Sequence, residues 1–146
     1  MDKGTGTTIK VHHIDRSKVR ILLCDFNAES CQQILALLCQ CSYKAAAVWS
    51  EREIFDVLNS EGPRTDIILA EVNLIMSNDA HLLRYIMSNE DLQNIPLIIL
   101  TTEDHDQVSV TLKGLRLGAV EAVDYLVKPL HTNEISSLWM HVQNLG

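Results

Sequence analysis

The chain has 146 residues, the length of one domain of common size, and its formal net charge is −7. Hydrophobic residues make up 47 % and charged residues 21 % of it, a globular balance that argues against wholesale disorder. The negative charge argues against a nucleic-acid surface, because phosphate contacts need clustered Lys and Arg. No apolar run approaches the length of a membrane span, and the polar N-terminus lacks the apolar core of a signal peptide.

The first segment in chain order, residues 1–17, is rich in Gly, Thr, Lys and His and has no apolar periodicity. We predict a flexible leader there and one domain over residues 18–146. The chain has four cysteines, and no second pair stands at zinc-ligand spacing. We therefore predict free and mostly buried thiols at Cys24, Cys31, Cys39 and Cys41.

Five short apolar runs then alternate with segments whose apolar residues recur at helical spacing. Continuous apolar runs are typical of strands that are buried on both faces of a parallel sheet. The predicted strands are Ile21–Cys24, Ala45–Val48, Asp66–Ala70, Pro96–Leu100 and Val123–Val127. The predicted helices are Ser30–Leu38, Glu51–Asn59, a third helix marked by Leu82, Leu83, Tyr85 and Ile86, then Val108–Leu117 and Asn133–Val142. We expect Ala28, Glu29 or Ser30 near the cap of the first helix and Ser50 at the cap of the second.

This alternation predicts an α/β fold with a doubly wound, five-stranded parallel sheet, (βα)5, and helices on both faces. In open sheets of this type the functional crevice lies beyond the carboxyl ends of the strands. Four polar residues stand there in the sequence, namely Asp25, Glu71, Thr101 and Lys128. They are the candidate site residues.

An acid after the first strand, an acid after the third, a hydroxyl after the fourth and Lys-Pro after the fifth resemble the receiver domain of two-component response regulators. The resemblance covers about residues 19–144, and its strongest string is Asp124–Pro129. It implies a receiver-like, flavodoxin-like fold and a cis bond before Pro129. In that family, paired acids after the first strand hold Mg²⁺, an Asp after the third accepts phosphate, and the hydroxyl and Lys contact the phosphoryl group.

Two site positions depart from the receiver pattern. Phe26 stands where the second metal-binding acid is expected, and it offers no oxygen to Mg²⁺. Glu71 stands at the phosphoacceptor position, where its extra methylene displaces the carboxylate from in-line geometry. We therefore expect no metal, no cofactor and no phosphorylation, and we hypothesise that Glu71 reaches Lys128. Ile75 and Asp79 replace the Pro and Gly usual after the third strand, which leaves that loop's geometry open.

The variant set resembles the plant pseudo-response regulators of the circadian clock, in which Glu replaces the acceptor Asp. The strings that carry this likeness are Arg20–Asp25, Ile67–Glu71, Leu126–Leu130 and Thr132–Glu134. It implies a nuclear pseudo-receiver domain for protein–protein interaction in clock transcriptional regulation, and a cytoplasmic location stays open beside the nuclear one. Its partners would be other clock pseudo-response regulators, in homo- or heterodimers, and an F-box photoreceptor, with no membrane and no direct DNA contact. The chain shows no basic C-terminal block, which leaves open an isolated domain of a longer protein or a truncated relative.

The same resemblance implies an interaction face made by the fourth helix, the fifth strand and the fifth helix. Its candidate residues are Val110, Leu112, Tyr125 and Trp139. Ordinary structural roles stay open beside this one, since a half-buried strand Tyr is equally common and a Trp on the last helix is typical of core packing.

Two other functions are weighed against the interaction module. The first is a working phospho-receiver with an atypical acceptor, which the retained Asp25, Thr101 and Lys128 favour. The second is a small α/β enzyme, which is disfavoured because Asp25–Ala28 is no Gly-rich phosphate loop and no nucleophile–base pair stands in register. Purely structural roles for Asp25 and Thr101, and solvated surface roles for Glu71 and Lys128, stay open.

Overall fold

The computed structural model of the protein describes residues 15–102 and 123–145. Strands and helices alternate along these residues as the sequence predicts. The strands are β1 Arg20–Cys24, β2 Lys44–Val48, β3 Ile67–Glu71, β4 Leu97–Thr101 and β5 Val123–Val127. The α-helices are α1 Ala28–Gln40, α2 Glu51–Glu61, α3 Val72–Ser88 and α4 Thr132–Ser136. Turns of 3-10 helix cover Arg16–Lys18, Gly62–Arg64 and Leu138–Leu145. The predicted helix Val108–Leu117 lies outside the described residues.

The five strands form one parallel sheet in the order β2-β1-β3-β4-β5. Strand β2 therefore lies at one edge of the sheet beside β1, and β3, β4 and β5 follow one another on the other side of β1. This confirms the predicted doubly wound, receiver-like fold. The topology also brings the carboxyl ends of β1 and β3 side by side at the centre of the sheet.

Both faces of the sheet are buried, because successive strand residues point to opposite sides. Ile21 and Leu23 of β1 belong to a cluster that α1, α4 and the final 3-10 segment cover. Leu22 and Cys24 belong to a second cluster, which α2 and α3 cover. Burial on both sides explains why the strands are continuous apolar runs and not alternating ones.

The first two helices begin with a side-chain cap. Asn27 caps α1, and its Oδ1 accepts a hydrogen bond from Ser30 N at 2.9 Å. Ala28, Glu29 and Ser30, which we expected near the cap, are the first three residues of this helix. Ser50 caps α2 as predicted, since its Oγ accepts from Glu53 N at 3.2 Å.

Helix α3 contains Leu82, Leu83, Tyr85 and Ile86, which mark it in the sequence, but it extends far toward the N-terminus from them and begins directly after β3. The Pro and Gly that the family carries in this turn would break a helix, and Ile75 and Asp79 do not. Ile75 is fully buried in the core instead. The helix path is distorted where Asn78 and Ala80 take positive φ values of 51° and 57°.

The last predicted helix, Asn133–Val142, is divided in the structure. It is α4 up to Ser136 and a 3-10 segment from Leu138 onward. Ile135, Leu138 and Val142 are buried as the periodicity predicts. None of the described helices is long and apolar enough to cross a membrane.

Candidate functional site

Asp25 is the most buried charged residue of the predicted site. It follows β1 directly, its side chain is 1 % exposed, and both of its carboxylate oxygens are engaged. Oδ1 accepts from Asn27 N at 2.9 Å, and Oδ2 accepts from Ser30 Oγ at 2.8 Å. The first turn of α1 therefore holds the carboxylate in place.

Lys128 supplies the positive charge that compensates Asp25. Its Nζ lies 2.9 Å from Asp25 Oδ2, and its side chain is 15 % exposed. A buried carboxylate without such a partner is strongly unfavourable, so the pair neutralises the centre of the site. The peptide bond between Lys128 and Pro129 is cis, as the resemblance to receiver domains implies.

Glu71 has a different partner from the one we hypothesised. It ends β3 and serves as the N-cap of α3, where one carboxylate oxygen accepts a short hydrogen bond from Asn73 N. The other oxygen, Oε1, accepts from Asn73 Nδ2 at 2.9 Å. The hypothesis that Glu71 reaches Lys128 is therefore wrong, because the carboxylate turns toward the helix and Lys128 pairs with Asp25.

Thr101 ends β4 and is buried, with 1 % of it exposed. Its carbonyl oxygen accepts a hydrogen bond from Lys128 N at 2.7 Å. This contact connects the ends of β4 and β5 and fixes the backbone from which the Lys128 side chain reaches Asp25. The four strand-end residues thus meet at one edge of the sheet, as the topology predicts.

A cleft of about 390 Å³ opens beside these residues, between the ends of β1 and β3. Its lining residues are Asp25, Phe26, Asn27, Glu71, Asn73 and Leu74. Phe26 is 52 % exposed and places an apolar ring at the mouth of the cleft. An exposed aromatic ring here is unusual for an ion site and typical of a contact surface.

The donor set of this cleft does not fit Mg²⁺, which needs several oxygens in octahedral geometry. Phe26 contributes no oxygen, and those of Asp25 and Glu71 already accept hydrogen bonds from the protein. Among residues 15–102 and 123–145, no group of three His, Cys, Asp or Glu side chains could hold a metal ion.

Of the predicted interaction face, only Trp139 has a described side chain. Val110 and Leu112 lie outside the described residues, and Tyr125 is placed in β5 without a described side chain. Trp139 is half-buried against the core cluster beneath α1 and α4. Its backbone N–H donates to Tyr43 Oη at 3.1 Å, and Tyr43 Oη donates to the Ser136 carbonyl at 3.1 Å.

The sequence reasoning missed three residues that organise the site. Ser30 and Asn27 hold Asp25, and Asn73 holds Glu71. The available signal was the Asp-x-Asn-x-x-Ser order of Asp25–Ser30, in which short polar side chains stand at a strand-to-helix turn.

The cysteines are free, and only Cys39 is exposed. Burial raises the pKa of the Cys24 thiol, and the nearby Cys31 and Asp25 raise it further. Cys31 Sγ accepts a hydrogen bond from Trp49 Nε1 at 3.2 Å. The Cys24 thiol is therefore structural, since a protonated and covered sulfur is a poor nucleophile.

Comparisons with known proteins agree with this description. Two-component response regulator-like APRR1 of Arabidopsis thaliana is 50 % identical over 129 residues, which cover 88 % of this chain and 20 % of that protein. Two-component response regulator-like PRR1 of Oryza sativa subsp. japonica is 50 % identical over 129 residues, covering 88 % of this chain and 24 % of that protein. APRR5 of Arabidopsis thaliana is 39 % identical over 142 residues, which cover 97 % of this chain and 25 % of that protein. The chain thus spans about a fifth to a quarter of the length of these relatives.

Solved structures carry the same fold. The chemotaxis response regulator CheY4 of Vibrio cholerae superposes with a TM-score of 0.68 at 20 % identity, covering 85 % of this chain and 98 % of that one. The bacteriophytochrome response regulator AtBRR superposes with a TM-score of 0.66 at 20 % identity, covering 85 % of this chain and 91 % of that one. A scan against protein-family models finds no match. The predicted resemblance to the plant response regulator-like proteins is confirmed by the relatives, and the receiver fold by the structures.

Proposed function

We propose that this chain, a homologue of the plant two-component response regulator-like proteins, is a pseudo-receiver domain that accepts no phosphate and acts by binding other proteins. The observation that carries the proposal is the position of Glu71. Its carboxylate is fixed on Asn73 as the cap of α3 and is directed into the start of that helix. A nucleophile held in this way lacks the in-line approach that phosphoryl transfer needs.

The surroundings of Glu71 support the same conclusion. Phosphoryl transfer depends on metal ions and cations to neutralise the charge of the moving group. Phe26 removes one metal ligand, and Lys128 is already paired with Asp25. Asp25 and Lys128 thus neutralise each other, and the carboxylates of Asp25 and Glu71 both have hydrogen-bond donors within the protein before any ligand arrives. A domain in this condition has no switch to operate and retains a rigid surface for contacts.

The partners we propose follow from the family resemblance. They are other response regulator-like proteins of the circadian clock, in homo- or heterodimers, and an F-box photoreceptor, in the nucleus and in transcriptional regulation. The interaction face comprises Val110, Leu112, Tyr125 and Trp139. The domain has no enzymatic activity and binds neither DNA nor a cofactor.

Intact-mass spectrometry tests the first half of the proposal. The chain is incubated with acetyl phosphate and Mg²⁺ beside a genuine receiver domain as the positive control. We expect a phosphoryl adduct on the control and none on this chain. A stable adduct on this chain that disappears in Glu71→Gln would overturn the proposal.

Such an adduct would establish the second candidate, a phospho-receiver with an atypical acceptor. That candidate is favoured by the retained Asp25, Thr101 and Lys128, which stand where receiver domains need them. Its weak point is Glu71, because the Asn73 contacts must break before the carboxylate can reach a phosphoryl donor.

Sedimentation equilibrium tests the second half, with this chain alone and mixed with the matching segment of a response regulator-like relative. We expect association that Leu112→Glu abolishes. Gln32→Glu, on an exposed position of α1, is the matched control and should leave association unchanged. Association that survives Leu112→Glu would remove the interaction face from the proposal.

A further inference from the structure

A second cleft lies at the opposite edge of the sheet from Asp25 and Lys128. Its volume is about 330 Å³, and it opens where β1 and β2 begin and just before β3. The lining residues are Arg20, Ile21, Leu22, Lys44, Ala45, Ala46, Val57, Arg64 and Thr65. Nothing in the proposed function uses this cleft.

The charge of the cleft is opposite to that of the chain. Arg20, Lys44 and Arg64 line it and are exposed, on a protein whose net charge is −7. None of the three forms an ion pair with another residue in the described part of the chain. Asp66 is the acid next to them in the sequence, and its Oδ2 accepts from Arg20 N at 2.8 Å. Three side-chain cations thus line one cleft, and within residues 15–102 and 123–145 no carboxylate forms an ion pair with any of them.

The floor of the cleft is apolar. Leu22 and Ala46 stand side by side in the parallel register of β1 and β2, and half-buried Val57 of α2 adjoins them. Strand β2 carries alanine at three successive positions, Ala45–Ala47. Ala46 shares the α2 side of the sheet with Leu22, whereas Ala45 and Ala47 pack on the α1 side. The small side chain of Ala46 leaves space under α2 that a larger strand residue would fill. The cleft therefore has positively charged side chains at its rim and an apolar floor.

We propose that this cleft binds a phosphate monoester carried on a small apolar body. The rim suits a phosphate better than a carboxylate, because a phosphate monoester carries close to two charges at neutral pH and has three acceptor oxygens. Two of the three cations are guanidinium groups, which bind such oxygens in a bidentate manner. The apolar body lies on Leu22, Ala46 and Val57, and the volume admits a group of about the size of an aromatic ring.

Isothermal titration of the 146-residue chain with phenyl phosphate tests the proposal. We expect saturable binding that Arg64→Gln and Lys44→Gln each weaken by about tenfold or more, the usual effect of losing one charge-assisted hydrogen bond. Arg52→Gln is the matched control, since Arg52 is an exposed cation on α2 that does not line the cleft. Ala46→Leu fills the floor and should abolish binding while thermal unfolding shows an intact fold.

Two further titrations separate the parts of the ligand. Inorganic phosphate should bind more weakly than phenyl phosphate, and phenol should not bind measurably. A phosphotyrosine peptide that binds more tightly than phenyl phosphate identifies the ligand as a phosphorylated protein segment, and equal affinities identify a small phosphate ester. The proposal is overturned by no binding of phenyl phosphate, by equal weakening in Arg52→Gln, or by inorganic phosphate binding as tightly as phenyl phosphate.

Discussion

Lys128 and Asp25, 103 residues apart in the chain, form an ion pair of 2.9 Å over the carboxyl edge of the sheet. Asp25 follows β1 and Lys128 follows β5, and β3 and β4 lie between these strands. The lysine side chain therefore crosses two strands to reach its partner. Because the carboxylate is almost wholly buried, this contact closes the site and joins the two halves of the sheet.

Replacing Lys128 by Met is expected to lower the free energy of unfolding by about 3–5 kcal/mol, because the change leaves a buried and unpaired carboxylate. Urea unfolding measures the effect. Lys18→Met, an exposed cation on the N-terminal 3-10 turn, is the control and should change stability by less than about 0.5 kcal/mol. Adding Asp25→Asn to Lys128→Met should restore part of the loss. Equal stability of Lys128→Met and the unchanged chain would mean that the ion pair is not formed in solution.

The strands were predictable from the sequence to within one residue, since continuous apolar runs have one simple explanation in a parallel sheet. The length of α3 was not predictable, because receiver domains usually carry a Pro and a Gly in a turn after the third strand. The residues present, Val72 to Ala80, contain neither Pro nor Gly to enforce it. The last helix was predicted as one element, and hydrophobic periodicity does not distinguish α-helix from the 3-10 turns of Leu138–Leu145 over so few residues.

For the site, the order of the strands predicts which residues come together but not how their side chains pair. Chain order and parallel strands were enough to bring Asp25, Glu71, Thr101 and Lys128 to one edge. They were not enough to choose Lys128's partner, because both acids stand near it and only the backbone of α3 decides where Glu71 points. A carboxylate at the start of a helix has free N–H donors within reach, so Asn73 binds Glu71 and Lys128 pairs with Asp25.

The double variant Phe26→Asp/Glu71→Asp is expected to accept phosphate from acetyl phosphate in the presence of Mg²⁺. The first change restores an oxygen ligand, and the second shortens the side chain that caps α3. Phe26→Asp alone keeps the longer Glu71 side chain and so lacks the nucleophile geometry, and Glu71→Asp alone lacks the metal ligand. Each single variant should therefore give little or no adduct. Intact-mass spectrometry compares the three variants. Full phosphorylation of Glu71→Asp alone would show that Phe26 does not prevent metal binding.

Replacing Glu71 by Ala is expected to reduce the free energy of unfolding by about 1 kcal/mol, the usual effect of losing an N-cap side chain. Glu71→Gln retains an oxygen that can accept from Asn73 N, so its loss should be smaller. Thermal or urea unfolding of the two variants measures the difference. If Glu71→Ala were fully as stable as the unchanged chain, the capping contacts would have no energetic role.

Ala80→Gly is expected to change stability by less than about 0.5 kcal/mol, because two effects oppose each other. Glycine adopts the left-handed φ of 57° without strain, but the change also removes a methyl group that is fully buried in the core. Ala36→Gly is the control, since Ala36 is exposed within α1, where glycine should lower stability by about 1 kcal/mol. Urea unfolding compares the two variants. A loss in Ala80→Gly as large as that in Ala36→Gly would show that the φ at Ala80 carries no strain for glycine to relieve.

Tyr43 makes the stability of the fold sensitive to alkaline pH. Burial raises the pKa of its hydroxyl above the ordinary value of 10.0, while the hydrogen bond from the Trp139 backbone acts in the opposite direction. The unfolded chain therefore loses this proton first. The stabilising contribution is complete below the unfolded pKa and is lost as pH rises toward and through the folded pKa. Buried Cys24, whose pKa is also raised, adds to the same decline.

Tyr43→Phe should lower stability at neutral pH by about 1 kcal/mol, because the contacts with Ser136 and Trp139 are removed. Above the ordinary tyrosine pKa its stability should decline less steeply than that of the unchanged chain, so the two curves approach each other. Urea unfolding between about pH 8 and 11 measures both slopes. Cys24 is present in both proteins, so its contribution cancels in the comparison. Parallel curves over this range would contradict the assignment, since they would mean that Tyr43 titrates alike in the folded and unfolded chain.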